Sequence, residues 1–565
     1  MQTEVLIVGA GPSGMVLALW LARLGVRLRI IDRASGPGAA PRAFALQART
    51  LELYSRLGLA QDALARGRMV STMSLHRGRD HVQRFPFGVL GQGLSPFPFV
   101  LILPQDDQEK LLVEHLAGVG VQVERNTELV DLEGAGPLIR ARLHGEGGAE
   151  EVCEVSFVCG CDGAGSLVRQ LSDIDFRGET SQEIVFVADV EATGALADGE
   201  LHSVLAGDTL FSVFPRRGAG RVRLIGRVPF SIRKQLSQFD FDDIAPEILG
   251  DVDLTVSLVE SFASYRVHER IADTWRKGRV FLLGDAAHLH NPAGGQGLNA
   301  GIGDAANLAW KLGAALRGGA DDTLLDTYQS ERRAAARQVA ATVDKGFELL
   351  ARRGRGPGLA RRVLPEIAAQ LMRTAIFRRW LFRAISQVGV SYRAGRSCEG
   401  RAGRIAGGDR LPWVVVDDQT DNFSALQPPF PAETTAADGQ GSAPVSPAEN
   451  LDHDGVHIFQ ESTLGFGWQA QVYGQVEDRL REACAEWGLG LRAFAWTSQM
   501  KRAGMARDAV YLVRPDGYVA FASPWQDPAD IARYLQRFDI RFRSTPETGG
   551  ALHMGLGAPQ APIGE

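Results

Sequence analysis

Residues 284–310, GDAAHLHNPAGGQGLNAGIGDAANLAW, hold six glycines and run straight into a segment with helical spacing. Glycine loses more conformational freedom on folding than any other residue, so this density implies a backbone that bends sharply or touches something closely. The stretch follows Arg279-Val-Phe-Leu-Leu283, which reads as a buried strand, and leads into apolar residues at helical spacing from Leu298 to Leu312. Strand, glycine loop and helix in that order aim free backbone N–H groups at an anionic or electron-rich ligand.

Two further stretches have the same form. Gly9-Ala-Gly11-Pro-Ser-Gly14 lies where the run Val5–Val8 hands over to helical spacing from Ser13 to Leu24. The next strand, Val26 to Ile31, ends in Asp32, close to the ~20-residue offset at which an acid accepts hydrogen bonds from a ribose. The glycines allow a tight turn and close approach of a pyrophosphate to the helix N-terminus. Cys161-Asp162-Gly163-Ala-Gly165-Ser166, with Arg169 following, comes after a third buried-strand candidate, Val155 to Cys161. A structural turn is the competing reading of each stretch alone; the three in order point to one dinucleotide.

The elements that must position these loops follow from length and pattern. At 565 residues the chain has room for three or four units at ~150 residues each. Segments such as Ile184–Val190, Leu210–Phe214 and Arg221–Ile225 predict a mostly antiparallel sheet between about 181 and 270. The chain is thus expected to leave one domain, build a second and return. From Arg352 to Arg404 there are just two acids, Glu366 and Glu399, and Leu364, Ile367, Leu371 and Ile376 are spaced as on one packed helical face under a solvated basic side. A surface for an acidic partner or a membrane is the competing reading. Residues 415–450 read as loop, a last unit of strands and helices runs to about Phe542, and a flexible tail follows. The expected boundaries are 1–180, 181–275, 276–398, 399–545 and 546–565.

A net charge of -6 argues against a nucleic-acid partner. Cys153, Cys159, Cys161, Cys398 and Cys484 form no C-x-x-C pair and no zinc spacing, so no metal is expected and a reducing, cytoplasmic setting fits. The N-terminus shows no basic leader, and no stretch reaches the ~20 apolar residues that span a bilayer, so no membrane partner is expected.

The order GAGPSG, CDGAGSLVR and GDAAHLHNPAGGQGLNAGIGDAANLAWKL resembles the single-component FAD-dependent aromatic hydroxylases, the p-hydroxybenzoate hydroxylase-like family. Asp508-Ala-Val-Tyr-Leu-Val-Arg-Pro-Asp-Gly-Tyr-Val-Ala520 is most similar to its long branch, that of phenol hydroxylase and the aromatic-polyketide hydroxylases. The resemblance implies an α/β fold: a Rossmann-like FAD-binding domain of GR2 type, interleaved with a mostly antiparallel substrate-binding sheet and followed by a C-terminal thioredoxin-like domain. It implies FAD as cofactor, NADPH or NADH as reductant, O2 as co-substrate, and a phenolic or polycyclic aromatic substrate hydroxylated through a flavin C4a-hydroperoxide. A same-fold epoxidase or Baeyer–Villiger-type oxygenase, and a non-catalytic flavin-bound scaffold, are the alternatives.

By the same resemblance, Gly9, Gly11, Pro12, Ser13 and Gly14 receive the FAD pyrophosphate, and Asp32, with Arg33 beside it, meets the adenosine ribose. Arg42 and Gln105 reach the nucleotide, against a bland reading as surface and loop residues, and Leu129 joins the cofactor contacts. Asp162 and Gly163 sit near the pyrophosphate, and Asp285 binds the ribityl chain. Pro292 and the 294–299 backbone, with Gly295, Gly297, Leu298 and Asn299, line the pyrimidine edge of the ring. Phe211, Phe214 and Tyr265 are candidate substrate linings, with core packing as the competing role. His288 and His290 are read as loop structure because no carboxylate or metal pattern stands beside them, and no catalytic base is named. The last unit lacks a C-x-x-C and Cys484 stands alone, which implies a structural role there, with a homodimer interface as its expected setting.

Overall fold

The computed structural model describes residues 3–37, 45–134, 136–206, 209–229, 231–232, 238–289, 295–351, 374–417, 420–426 and 467–542. Val5–Val8 is buried along its whole length, as a strand covered on both faces must be. It pairs in parallel with Leu28–Ile31 on one side and Phe157–Gly160 on the other, and Phe157–Gly160 pairs in parallel with Val280–Leu282. Val123–Glu124 and Arg276–Lys277 complete the two edges. Helices Pro12–Arg23 and Gly297–Leu316 pack together against this sheet, contributing Leu17, Leu21, Ile302 and Leu308 to one apolar core.

A second sheet runs in the order His288–Leu289, Thr255–Ala272, Phe176–Thr193, Arg221–Arg227, Thr209–Pro215, Leu201–Ala206, Thr72–Arg77, Asp80–Pro86. It is antiparallel except where Leu201–Ala206 meets Thr72–Arg77. The expected boundaries placed this sheet within 181–275; the structure adds the hairpin Thr72–Pro86, a half-buried alternating segment that turns at Gly78 with φ 56°. Helix Phe241–Leu249 covers one face, where Phe186, Ala188, Val190, Phe211 and Ile244 form a second core.

In the last unit Gln469–Tyr473 pairs in parallel with Gly490–Phe494 across helix Asp478–Trp487, and antiparallel with Val510–Val513. Val519–Ser523 returns beside Val510–Val513, and helix Pro528–Gln536 follows. One face of this sheet has its own core, with Leu411, Tyr473, Met500, Tyr511 and Val513, while the other is shared: Trp310 and Leu324 of the preceding part pack among Trp468, Leu512, Ile531 and Tyr534. Charges cross the same boundary. Arg514 donates to both oxygens of Glu331 at 2.9 Å, and Lys311 donates to Glu331 at 3.1 Å, all three side chains fully buried.

Of the predicted basic face, 352–373 lies outside the described residues. Ile376 was expected on its packed side and is instead 84% exposed. Helix Ala375–Ile385 turns Phe377, Leu381, Phe382 and Ile385 inward, a phase that sends Ile376 to solvent.

Candidate active site

The three glycine loops leave the carboxyl ends of Val5–Val8, Phe157–Gly160 and Val280–Leu282, which are adjacent parallel strands and so deliver them to one edge. That crevice is where open α/β sheets hold ligands. Two glycines of the first loop answer to the protein itself. Gly9 has φ 103°, and a Cβ there would stand 2.8 Å from Asp162 Cα; a Cβ on Gly14 would overlap the Gly9 carbonyl oxygen. Gly11 answers to nothing among the described residues, because a Cβ there meets none of their atoms within 4 Å. Its bareness makes sense for something that approaches from outside. Pro12 begins the helix, where its missing N–H costs nothing, and no side chain caps the first turn, which also contains no acid. The N–H groups of that turn remain available to an anion.

Ser13 points the other way. Its Oγ would lie 2.7 Å from a Cβ on Gly284, so it joins the first loop to the third. Arg169 joins the second to the third, donating to Ala286 O at 2.9 Å and to Ala164 O at 2.8 Å. Asp32 accepts from Ala10 N at 2.7 Å and Ala34 N at 2.8 Å, which fixes the carboxylate beside the first loop; Arg33 is exposed. Gln105 opens helix Gln105–Gly118 and donates to Glu109, and Leu129 is buried in the sheet core.

Asp162 is the most informative polar group. Oδ2 accepts from Leu167 N at 2.7 Å and Val168 N at 3.1 Å, whereas Oδ1 is buried with no hydrogen-bond partner among the described residues. Burial pushes its pKa up. Such an orphan acceptor calls for a donor that the described residues do not supply. Gly163, at φ 79°, leaves open space beside it. Asp285 sits exposed on the tight turn Gly284–Ala286.

Asn299, on the other hand, is fully engaged by the protein. It accepts from Gln47 N at 2.9 Å and Thr50 Oγ1 at 2.6 Å and donates to Ala45 O and Gly295 O. It thereby pins residues 45–50 to the N-terminus of Gly297–Leu316, so its contribution is to hold the backbone in place. Gly295 has φ 59°, and Gly297 and Leu298 are partly exposed at the helix start. Arg42, His290 and Pro292 lie outside the described residues.

The reading of His288 needs correction on one point. A carboxylate does stand beside it: Nε2 lies 2.7 Å from Asp304 Oδ2, and the ring stacks on Trp275 with centroids 4.9 Å apart. Asp304 also accepts from Gly284 N at 3.1 Å and from Arg332 Nε at 2.7 Å. Asp304 is fully buried; despite the desolvation that opposes ionisation, Arg332 and His288 hold its pKa below the usual range. The sequence signal was the single acid of helix Gly297–Leu316.

The sheet divides its three aromatic candidates. Phe211 and Phe214 are an odd number of positions apart and face opposite ways. Phe211 is 1% exposed in the core beneath helix Phe241–Leu249, which removes it from the candidate lining. Phe214 stands opposite Arg223, and Tyr265 opposite Val185, which puts both on the other face, with Asp189. There Arg223 donates to Asp189 through Nε at 2.6 Å and Nη2 at 2.7 Å, a buried pair missed in the sequence. That face packs through Phe214 and Ile225 toward Ala45 and Ala48, which border the loop held by Asn299. No group of residues suited to hold a metal occurs among the described residues, and no described helix is long and apolar enough to cross a membrane.

Fold and crevice together define a dinucleotide-binding α/β protein with a second, mostly antiparallel sheet beside it. The sequence matches the FAD binding domain family over residues 2–343. The chain belongs to that family, and with it to the FAD-dependent aromatic monooxygenases with a GR2-type fold. It is 38% identical to 6-methylpretetramide 4-monooxygenase of Streptomyces rimosus over 58% of this chain and 59% of that one. It is 31% identical to rifampicin monooxygenase of Rhodococcus hoagii over 69% and 79%. The solved structure of OxyS anhydrotetracycline hydroxylase from Streptomyces rimosus superposes with a TM-score of 0.70 at 26% identity, covering 96% of this chain and 100% of that one.

Proposed function

We propose that this chain holds FAD across the three loops and hydroxylates a polycyclic phenolic substrate, using NADPH or NADH and O2. Bound FAD supplies reduction by the nicotinamide and activation of oxygen for insertion at a ring carbon. The chain's own residues do the rest. The first-turn N–H groups behind Gly11 take the pyrophosphate, Asp32 the ribose, and Asp162 Oδ1 and Asp285 hydroxyls of the cofactor. Gly295, Gly297 and Leu298 lie along the ring, where the dipole of helix Gly297–Leu316 favours negative charge. Phe214, Tyr265 and the Asp189–Arg223 pair face the substrate from the roof, which also keeps water out.

The observation that carries this reading is the coincidence, at one sheet edge, of a glycine with open space beyond it, an uncapped helix start and a buried carboxylate oxygen without a donor. The relatives' printed substrates, 6-methylpretetramide and anhydrotetracycline, support a polycyclic one. The order of the last sheet, with a parallel pair joined by a helix and then a hairpin and helix, supports a thioredoxin-like unit, and the absence of a second thiol near Cys484 supports a structural role for it. Free thiols throughout suit a cytoplasmic setting.

The test is NADPH and NADH consumption by the purified yellow protein offered a panel of phenols and polycyclic phenols. Hydroxylated product in step with reductant supports the proposal. Hydrogen peroxide alone with every ring, or protein that takes up no FAD, removes it.

A further inference from the structure

Helix Ala48–Arg56 starts beside the cradle at Gln47 and ends about 13 Å along its axis, at 1.5 Å per residue, against the last unit. A cavity of about 200 Å³ opens there, lined by Arg56, Gln61, Phe97, Phe423 and Ser424 among others. Arg56 is only 6% exposed. Its Nη2 donates to Leu426 O at 3.1 Å, but Nε and Nη1 are buried with no hydrogen-bond partner among the described residues.

The neighbouring charges are already matched. Glu52 accepts from Arg49 at 3.0 Å, from Ser95 at 2.6 Å and from Arg410 Nε at 2.8 Å. Arg49 also donates to the Asp516 carbonyl. Asp421 is filled by Phe423 N, Ser424 N and Oγ, and Trp413 Nε1. Nor is Arg56 spent on its own helix end, because Arg23 donates to the carbonyls of Arg56 and Leu57. Burial lowers its pKa to about 9, so at neutral pH it still carries its charge. Space is kept around it too: a Cβ on Gly467 or Gly517 would stand 3.3 Å from a guanidinium nitrogen. Asp516 attracts the Arg56 charge, but its carboxylate is already bound by Arg514 and Asn307, and the guanidinium otherwise lies over the Trp20 ring at 6.0 Å. Two buried N–H groups left unmatched are costly, and the cost is relieved when an anion enters with them.

We propose that this cavity is a second ligand site, separate from the flavin cradle, in which Arg56 binds the oxyanion of a small organic carboxylate or phosphate. Phe97 and Phe423 supply apolar walls for the body of such a molecule.

Calorimetric titration of the FAD-loaded protein with inorganic phosphate and, separately, with succinate at constant ionic strength tests this, with chloride as the control. One site per chain is expected for at least one probe, with flavin absorbance undisturbed. Phosphate alone would identify a phosphate group and succinate alone a carboxylate; either supports the site. Arg56→Gln should weaken binding by about tenfold or more, the scale of a lost charge-assisted contact, at unchanged FAD content. Gln61→Trp, at an exposed position on the rim, should block uptake while leaving the guanidinium intact, and it serves if Arg56→Gln does not fold. Heats no larger than chloride for both probes overturn the proposal. So does an Arg56→Gln or Gln61→Trp protein that binds like the parent, or binding that shifts the flavin spectrum.

Discussion

Replacing Gly11 by valine separates ligand binding from folding. Gly11 has φ -75° and ψ 177°, an extended conformation open to any residue, and its Cβ direction is empty to 4 Å. The polypeptide alone should therefore change in stability by no more than about 0.5 kcal/mol, as for substitutions that touch nothing. In the proposed function the same space is where the FAD pyrophosphate comes to reach the helix N-terminus. Valine there would cost the charge-assisted hydrogen bonds from the first turn, about 1.5–3 kcal/mol each. Two lost together amount to about 3–6 kcal/mol, on the order of 10²–10⁴ in affinity. The assay pairs chemical denaturation of the FAD-free proteins with the flavin absorbance each retains after gel filtration. Gly14→Ala is the contrasting control, because its Cβ would overlap the Gly9 carbonyl and destabilise the chain with or without flavin. A Gly11→Val protein that keeps a full equivalent of flavin, or unfolds as readily as Gly14→Ala, refutes the reasoning.

Asp285→Ala should weaken FAD retention by about 1–3 kcal/mol, read as the concentration of free FAD needed to restore the yellow form; unchanged retention removes Asp285 from the site. Asp304→Asn leaves Arg332 buried without its counter-charge and His288 without its carboxylate partner and should cost about 3–5 kcal/mol in denaturant unfolding; a loss under about 1 kcal/mol would contradict the network. Asp304, Glu52 and Glu331 all have pKa values held below the usual carboxylate range in the folded chain, mainly by Arg332, Arg410 and Arg514 against opposing desolvation. Their contribution is therefore present above the unfolded-state values near ~4 and is lost as pH falls below them. Unfolding free energy measured between pH 6 and 3 should drop steeply below about 4.5, and a flat profile would exclude this origin.

The glycine loops were legible because their signals are local: a short apolar run, glycines and a helix start lie within about twenty residues, and parallel pairing then brings their ends together. Asp304 was not, since it meets His288 from 16 positions away inside a helix whose phase the flanking alanines do not specify. The opposite facings of Phe211 and Phe214 follow from strand alternation, but which face looks to the cradle depends on what packs behind the sheet, here helix Phe241–Leu249. The hairpin Thr72–Pro86 alternates well enough to read as strands, yet nothing in it says which sheet it joins. Ile376 shows the limit of periodicity carried across a long span: a small error in phase turned a packed residue into an exposed one.

The ion cluster of Lys311, Glu331 and Arg514 bears on how this lineage can be recombined. A chimera that takes residues 467–542 from a relative inherits a foreign counterpart for two buried charges and for Trp310, so the graft must import its matching helix positions as well. The last unit is thus not an interchangeable cassette.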